Sequence, residues 1–325
     1  MTYYQKMNHW ILGFFAITLL ASSCKTSKSL SDNAAPIPQA VPQTEAVANY
    51  DLENSLLWKI EGKGLTEPSY LFGTIHLIDK ENFFWPTGVL GALEDAEKVS
   101  FEVDLDNMFD MGKAMGMMTK AFMSDGQTLK DLYSEEDYNL IKAHFEDLGL
   151  PMMLLERIKP MFLTVFASGD VEMGKGLGEQ ESTKSYEMEL YALAQESNMD
   201  VSGLETIEYQ MSVFDSIPME VQGQMLLETI KSDEEDDAFK EMIKIYTSQN
   251  INAMVTMMSE DEGIGGFEDI LLYTRNKNWI PVIEEKMRDT QHFFAVGAGH
   301  LGGKDGVIDL LKKEGYTLSP LSHTK

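Results

Sequence analysis

The sequence predicts an α/β fold of the α+β kind: a mixed sheet built from the N- and C-terminal segments of one domain, with a large helical insertion at about 106–275. Three observations carry this. Two apolar runs, Tyr70-Leu71-Phe72 and Phe293-Phe294-Ala295-Val296, each stop at a glycine that opens a Gly-x-x-His motif: Gly73-Thr74-Ile75-His76 and Gly297-Ala298-Gly299-His300. Between residues 57 and 104 the pattern runs strand, strand, helix, strand, the order expected of a parallel or mixed sheet. The middle of the chain then turns to helical spacing, and the 22 methionines concentrate there. Core filling is the default role of such methionines; a soft groove for peptide is the sharper one.

Residues 1–23 read as a leader rather than as part of the fold. Lys6 supplies a basic start, and Trp10 to Ala21 is an apolar stretch too short to span a bilayer at about 1.5 Å per residue. It ends in Leu20-Ala21-Ser22-Ser23-Cys24, with small residues before the single cysteine of the chain. That arrangement resembles a bacterial lipobox, whose cysteine is diacylated and becomes the mature N-terminus; Ala21 stands where leucine is usual. The expectation is a lipid anchor at Cys24 and a bacterial cell-envelope protein, held at the outer membrane with its globular part extracytoplasmic. Residues 24–50, rich in Ser, Pro, Ala and Gln, form the tether, with a reach of roughly 28 Å. With Cys24 acylated no disulfide is available, so the domain over 51–325 rests on its core.

The elements of that domain follow in order. Leu57 to Ile60 alternates, Lys63-Gly64 turns, and Ser69 to Gly73 returns, which predicts a hairpin. Thr87 to Glu97 is a short helix and Lys98 to Asp104 a strand. Asp106 to Met123 is methionine-heavy helix, broken at Ser124-Asp125-Gly126. Ser134-Glu135-Glu136-Asp137 opens a helix to about Leu148 through a capping box. Pro151 starts another, to roughly Ala167 across Pro160, and Lys184 to Ser197 is an amphipathic helix. Asp200 to Leu204 is a strand ending at Glu205-Thr206. Helices fill roughly 207–215, 218–230, 233–248, 250–258 and 264–275. Asn278 to Arg288 is helix, His292 to Val296 strand, Gly306 to Lys313 helix and Tyr316 to Leu318 the final strand.

Charge bounds the partners. A formal net charge of −27 excludes a nucleic-acid partner, because a phosphate backbone needs a positive surface. It disfavours anionic headgroups as well, so the membrane link should be the lipid. The run Asp233-Glu234-Glu235-Asp236-Asp237 reads as an acidic helix start.

Candidate chemistry sits where strands end, the place ligands collect in an open α/β sheet. His76 and His300 follow two strands, Glu102 lies within a third between Phe101 and Val103, and Glu205 ends a fourth. Two imidazoles and a carboxylate suit a divalent transition metal, with Mn, Co or Zn the candidates. Such an ion polarises a carbonyl and acidifies bound water. A second carboxylate then serves as base, so either Glu102 or Glu205 fills that role. Each residue also has a plainer reading. His76 can be a structural hydrogen-bonder, Glu102 shares a strand face with Ser100 and Asp104 and can be solvent-exposed, and Glu205-Thr206 can cap the next helix. Arg275-Asn276, at an expected helix end, can be a C-terminal cap or a pair that orients a carboxylate. His144, His292, His323 and His9 are weak candidates. There is no Gly-x-Ser-x-Gly elbow, phosphate-binding loop or His-Glu-x-x-His, and Gly174-Lys175-Gly176-Leu177-Gly178 follows a helix and reads as a loop.

Taken together, Leu57-Trp58-Lys59-Ile60, Tyr70 to Leu77, Val99 to Asp104, Gly203-Leu204-Glu205-Thr206 with Gln210, Arg275-Asn276 with Trp279, and Phe294 to Leu301 with Gly306-Val307 resemble the TraB/GumN family over about 51–320. That family includes the animal TIKI proteins. The resemblance implies an erythromycin-esterase- or ChaN-like fold and an active-site set of His76, His300 and Glu102. It implies manganese- or cobalt-dependent proteolysis of extracellular peptides, or sequestration of a peptide pheromone as in other bacterial members. Glu187, in Ser185-Tyr186-Glu187, stands where members often carry an acidic Gly-x-Asp segment. The expectation is therefore a lipid-anchored, metal-dependent hydrolase of peptides, with metal at His76, His300 and Glu102 and with Arg275 orienting a carboxylate or substrate. The alternatives are a non-enzymatic peptide-binding lipoprotein and a haem- or metal-carrying one.

Overall fold

A computed structural model describes residues 52–321, apart from 109–111, 113–115, 117–118, 168–181, 232–236 and 261–266. The expected leader, Cys24 and its tether, His9, His323, the 174–178 glycine segment and most of the 233–237 acidic run lie outside the described residues.

Eight strands are present among the described residues: β1 (Leu57–Gly62), β2 (Ser69–Thr74), β3 (Ile78–Asp79), β4 (Lys98–Val103), β5 (Thr183–Lys184), β6 (Asp200–Glu205), β7 (His292–Gly297) and β8 (Tyr316–Pro320). Six form one sheet in the order β6-β4-β7-β2-β1-β8. Within it β6, β4, β7 and β2 run parallel, while β1 and β8 complete the sheet antiparallel. The mixed sheet is as the sequence predicts, drawn from both ends of the chain except that one strand, β6, comes from within the expected insertion. Every residue of β2 is buried, and Phe293, Phe294, Ala295 and Val296 of β7 are buried too. Parallel strands covered on both faces need such unbroken apolar runs, which is why these two segments do not alternate. The chain leaves β1 through a tight turn, closed by the Leu65 N–H donating to Gly62 O at 3.0 Å, in which Lys63 and Gly64 take the left-handed φ of 48° and 86°, and a longer loop then leads to β2.

Helices pack against the sheet and build the insertion. They are α1 (Val89–Asp95), α2 (Leu105–Met108), α3 (Leu129–Leu132), α4 (Glu135–Asp147), α5 (Met152–Leu155), α6 (Pro160–Ala167) and α7 (Tyr186–Glu196). There follow α8 (Ile207–Phe214), α9 (Met219–Lys231), α10 (Asp237–Thr247), α11 (Ile251–Glu260), α12 (Thr274–Met287) and α13 (Val307–Lys313). Ser134 caps α4 as its sequence predicts, accepting from the Asp137 N–H at 3.1 Å. The insertion has a core of its own, in which Leu129, Ile141, Phe145, Leu155, Leu163 and Leu226 close together. Met123 and Met152 are buried there, whereas Met153 is 71% exposed, so core filling accounts for some methionines and not all. Among the described residues no helix is long and apolar enough to cross a membrane.

Three expectations need correction. The helix expected over 151–167 is two, because Pro160 lacks an N–H and pushes Lys159 out of helical geometry. The freed backbone pairs instead with the segment before α3: the Met123 N–H donates to Arg157 O and the Lys159 N–H to Ala121 O. The helix expected from Lys184 starts at Tyr186, since Thr183-Lys184 pairs with β3 and Ser185 is the cap. Finally, Arg275-Asn276 is no helix C-terminus. A π-helical turn at Asp269–Tyr273 runs straight into α12, which places both residues in its first turn.

Candidate active site

The four parallel strands end at one edge of the sheet, and the candidate residues gather there. Thr74 of β2 is paired with Gly297 of β7, so the two Gly-x-x-His motifs leave neighbouring strands side by side. Gly73 is required by packing: a Cβ there would lie 2.6 Å from Leu301 Cδ1, the leucine that follows the second motif. Gly297 is required by chemistry. Its N–H donates to Glu102 Oε1 at 2.8 Å, and a Cβ would stand 3.2 Å from that oxygen.

Glu102 is 8% exposed, so solvation does not explain a carboxylate in this apolar strand. Its Oε2 accepts from Arg275 Nη2 at 2.5 Å and from Gln210 Nε2 at 3.2 Å, while Oε1 faces Gly297 and stands 3.6 Å from His300 Nε2. Burial alone would raise this carboxyl. The neighbouring His300, Arg275 and His76 and the Gly297 N–H outweigh it and hold the group down at about 2. Glu205 does not cap the next helix; Thr206 does, accepting from the Tyr209 N–H. Both Glu205 oxygens are taken up instead. Oε1 receives Arg275 Nε at 3.0 Å and Nη2 at 2.8 Å, and Oε2 receives Trp279 Nε1 at 2.8 Å. Arg275 thus bridges two buried carboxylates, the orienting role rather than the capping one, and lies over the Trp279 ring at 4.8 Å.

His300 is 4% exposed, on a short 3-10 turn after β7, with its ring 4.5 Å from Trp279. Asn276 sets its tautomer. The Asn276 amide nitrogen donates to Asp305 O at 2.8 Å, which leaves its oxygen to accept from His300 Nδ1–H at 2.6 Å. The Nε2 lone pair therefore points toward Glu102 and toward Arg275 Nη1, at 3.2 Å. Burial depresses this imidazole to about 3, against the pull of Glu102, so it is neutral at pH 7. At pH 7 Arg275 is therefore the cation in contact with Glu102, and His300 adds its charge only when protonated in acid.

His76 is the outlying member, its side chain 73% exposed on the loop after β2. Nδ1 meets Glu187 Oε1 at 2.9 Å, and Thr74 Oγ1 donates to the same oxygen at 2.6 Å. The Glu187 carboxylate draws the ring's pKa up to about 9. Glu187 owes its place to Ser185, the α7 cap whose hydroxyl donates to Oε2, and to Tyr186 beside it. The Tyr186 ring is fully buried against Phe83, Trp85, Tyr246 and Phe72 at 4.6–5.9 Å. Tyr246 on α10, which no sequence motif marks, fixes the end of β2 by donating to Gly73 O.

Among the described residues no three His, Cys, Asp or Glu side chains converge closely enough to hold a metal ion. The donors nonetheless fit a divalent transition metal in kind. His300 Nε2 is unprotonated and stands 3.6 Å from Glu102 Oε1, two acceptors on one side of the site, with the cationic Arg275 Nη1 donating to that nitrogen at 3.2 Å. Both imidazoles have Nδ1 held by an oxygen acceptor, the usual second sphere of a metal-bound histidine. His144 and His292 lie elsewhere: His144 Nε2 is 2.6 Å from Ala167 O, and His292 is at the opposite end of β7.

Fold and site define the class: a mixed α/β protein whose parallel strands deliver two histidines and an arginine-clamped carboxylate pair to one edge. The TraB/PrgY/gumN family model matches residues 56–320, and the chain belongs to that family. It is similar to the metalloprotease TIKI2 of Xenopus tropicalis, 25% identical over 81% of this chain and 59% of the relative. It is also similar to the metalloproteases TIKI1 of Danio rerio, at 24% over 81% and 62%, and of Homo sapiens, at 23% over 81% and 61%. The chain thus spans about three-fifths of the length of these curated relatives. No solved structure gives a significant match.

Proposed function

We propose that this protein is a divalent-metal-dependent peptidase acting on extracytoplasmic peptides, held at a bacterial envelope by lipid on Cys24. The observation that carries the reading is the pairing of β2 with β7. It puts both Gly-x-x-His motifs at the sheet edge that Glu102 faces, in a family whose curated relatives are named metalloproteases.

In this reading His300 Nε2, Glu102 Oε1 and His76 hold manganese, cobalt or zinc. The bound ion would polarise the scissile carbonyl and acidify water. Asn276 and Glu187 orient the two imidazoles through Nδ1. Glu102 Oε1, turned to His300 and held only by the Gly297 N–H, would share the metal and is the oxygen placed to accept a proton, whereas Oε2 is committed to Arg275 and Gln210. Glu205, engaged at both oxygens, is a positioning residue for Arg275 rather than a base. Arg275 keeps Glu102 ionised and orients it.

The test is metal content and peptide cleavage in purified protein lacking any His tag, beside His76→Ala and His300→Ala. Near-stoichiometric manganese, cobalt or zinc, lost in both variants while circular dichroism shows the fold intact, supports the assignment. Failure to take up any of the three ions on reconstitution refutes it.

A further inference from the structure

At the opposite edge of the sheet, where β4, β6 and β7 begin, lies a cavity of about 610 Å³, within the range of small-molecule sites. Strand register sets its floor. Lys98 pairs with Asp200 on one side and His292 on the other, and Ser100 pairs with Ser202 and Phe294, so these side chains occupy two rows of one face. Lys286, on α12, reaches down to this floor and donates to Ser202 Oγ at 2.8 Å. Ser202 is 2.8 Å from Ser100 Oγ, which is 2.9 Å from His292 Nε2.

The ammonium can only donate, so Ser202 Oγ accepts from it, and the two hydroxyls and the ring continue the chain. His292 Nδ1, buried on a residue 2% exposed that lines the cavity, has no hydrogen-bond partner among the described residues. Burial and then the charges of Lys286 and Lys98 keep His292 neutral, down to about 3. Lys286 itself is half-buried and, among the described residues, has a single neutral hydrogen-bond partner and no carboxylate within ion-pair distance. Burial lowers it, Asp104 pulls it back, Lys98 lowers it and Glu285 raises it, with a net fall. The two carboxylates on the wall are already engaged: Asp200 pairs with Lys98 at 3.2 Å, and Asp106 accepts from Tyr191 Oη and Gln195. In a chain of net charge −27, an underpaired ammonium, a second lysine and an unpartnered imidazole nitrogen share one cavity.

We propose that this cavity is a second binding site, for a small molecule bearing an oxyanion group (carboxylate or phosphate), anchored by Lys286 and Ser202 with Lys98 at the rim. An oxyanion here supplies the counter-charge Lys286 lacks and relieves its repulsion with Lys98. The site is separate from the proposed metal centre and does not depend on it.

The experiment is calorimetric titration of the purified protein with sodium phosphate and, separately, sodium succinate, at ionic strength fixed with sodium chloride. The protein is first stripped of metal with EDTA and then dialysed free of the chelator, so that neither metal at the other edge nor a competing carboxylate is present. Binding is expected for one or both; phosphate alone or succinate alone identifies the favoured group. Lys286→Met should weaken it roughly tenfold or more, the loss of a charge-assisted hydrogen bond. Lys286→Arg should largely retain it, and the exposed Lys142→Met should leave it unchanged. Should Lys286→Met fail to fold, Ser202→Ala is the second variant and should weaken binding as well. No binding of either anion, or equal binding by wild type and Lys286→Met, overturns the proposal.

Discussion

Replacing Arg275 with methionine keeps much of the side chain's bulk and removes the guanidinium shared by Glu102 and Glu205. Those carboxylates are 10% and 5% exposed, so their charges would be left facing each other with little water. Removing one partner of a buried ion pair costs about 3–5 kcal/mol. Against a total stability on the order of 5–15 kcal/mol, the variant should be marginal. Urea unfolding followed by far-ultraviolet circular dichroism measures the difference. The sign with pH is also fixed. A depressed carboxyl contributes stability that is present above 4.5 and lost as pH falls through about 2. In the variant Glu102 loses its cation, burial raises its pKa, and a proton neutralises it on mild acidification. The gap between wild type and Arg275→Met should therefore narrow from pH 7 to pH 4. A difference below about 1 kcal/mol at pH 7, or one that ignores pH, would refute a stabilising clamp.

Further outcomes follow from the same geometry. Asn276→Ala frees the His300 ring to turn, so affinity for manganese, cobalt or zinc should fall roughly 10–100-fold in a metal titration. Gly297→Ala puts a methyl 3.2 Å from Glu102 Oε1, and peptide cleavage should fall roughly tenfold or more with the fold retained. Glu187→Gln removes the charge that holds His76 at about 9, so its titration by proton NMR should move down toward 6.5. In wild type that pair stabilises the fold fully below 6.5 and progressively less as pH rises through about 9, an effect damped by solvent around the exposed ring. Gly73→Ala meets Leu301 at 2.6 Å and should cost about 1–3 kcal/mol of stability in urea unfolding.

The sheet was legible because its buried strands leave an unambiguous mark: Tyr70-Leu71-Phe72 and Phe293 to Val296 are apolar without alternation, and each stops at glycine. Glu102 was legible for the opposite reason, as a charge in an apolar strand. What the sequence left open depended on partners distant along the chain. Whether Glu205 capped a helix or met a cation turned on Arg275, and Arg275 looked like a helix end because local spacing does not reveal a π-helical turn at Asp269–Tyr273. Tyr246 and Asn276 act through single hydrogen bonds to Gly73 and His300, which no periodicity encodes. His292, a weak candidate by motif, is buried beside Ser100 by strand register alone.

The position of β7 has a consequence for timing. It is among the last strands to emerge from the ribosome, yet it lies in the sheet between β4 and β2, both made roughly 200 residues earlier. Until it arrives nothing links β4, paired with β6, to β2, paired with β1, and the facing edges of both stay open. Loop closure over such a span is slow, and the interval exposes strand edges to aggregation. A nascent or truncated chain ending before His292 would carry His76 and Glu102 on two unjoined pieces of sheet. The candidate site is thus assembled only once β7 is in place between the two early pieces.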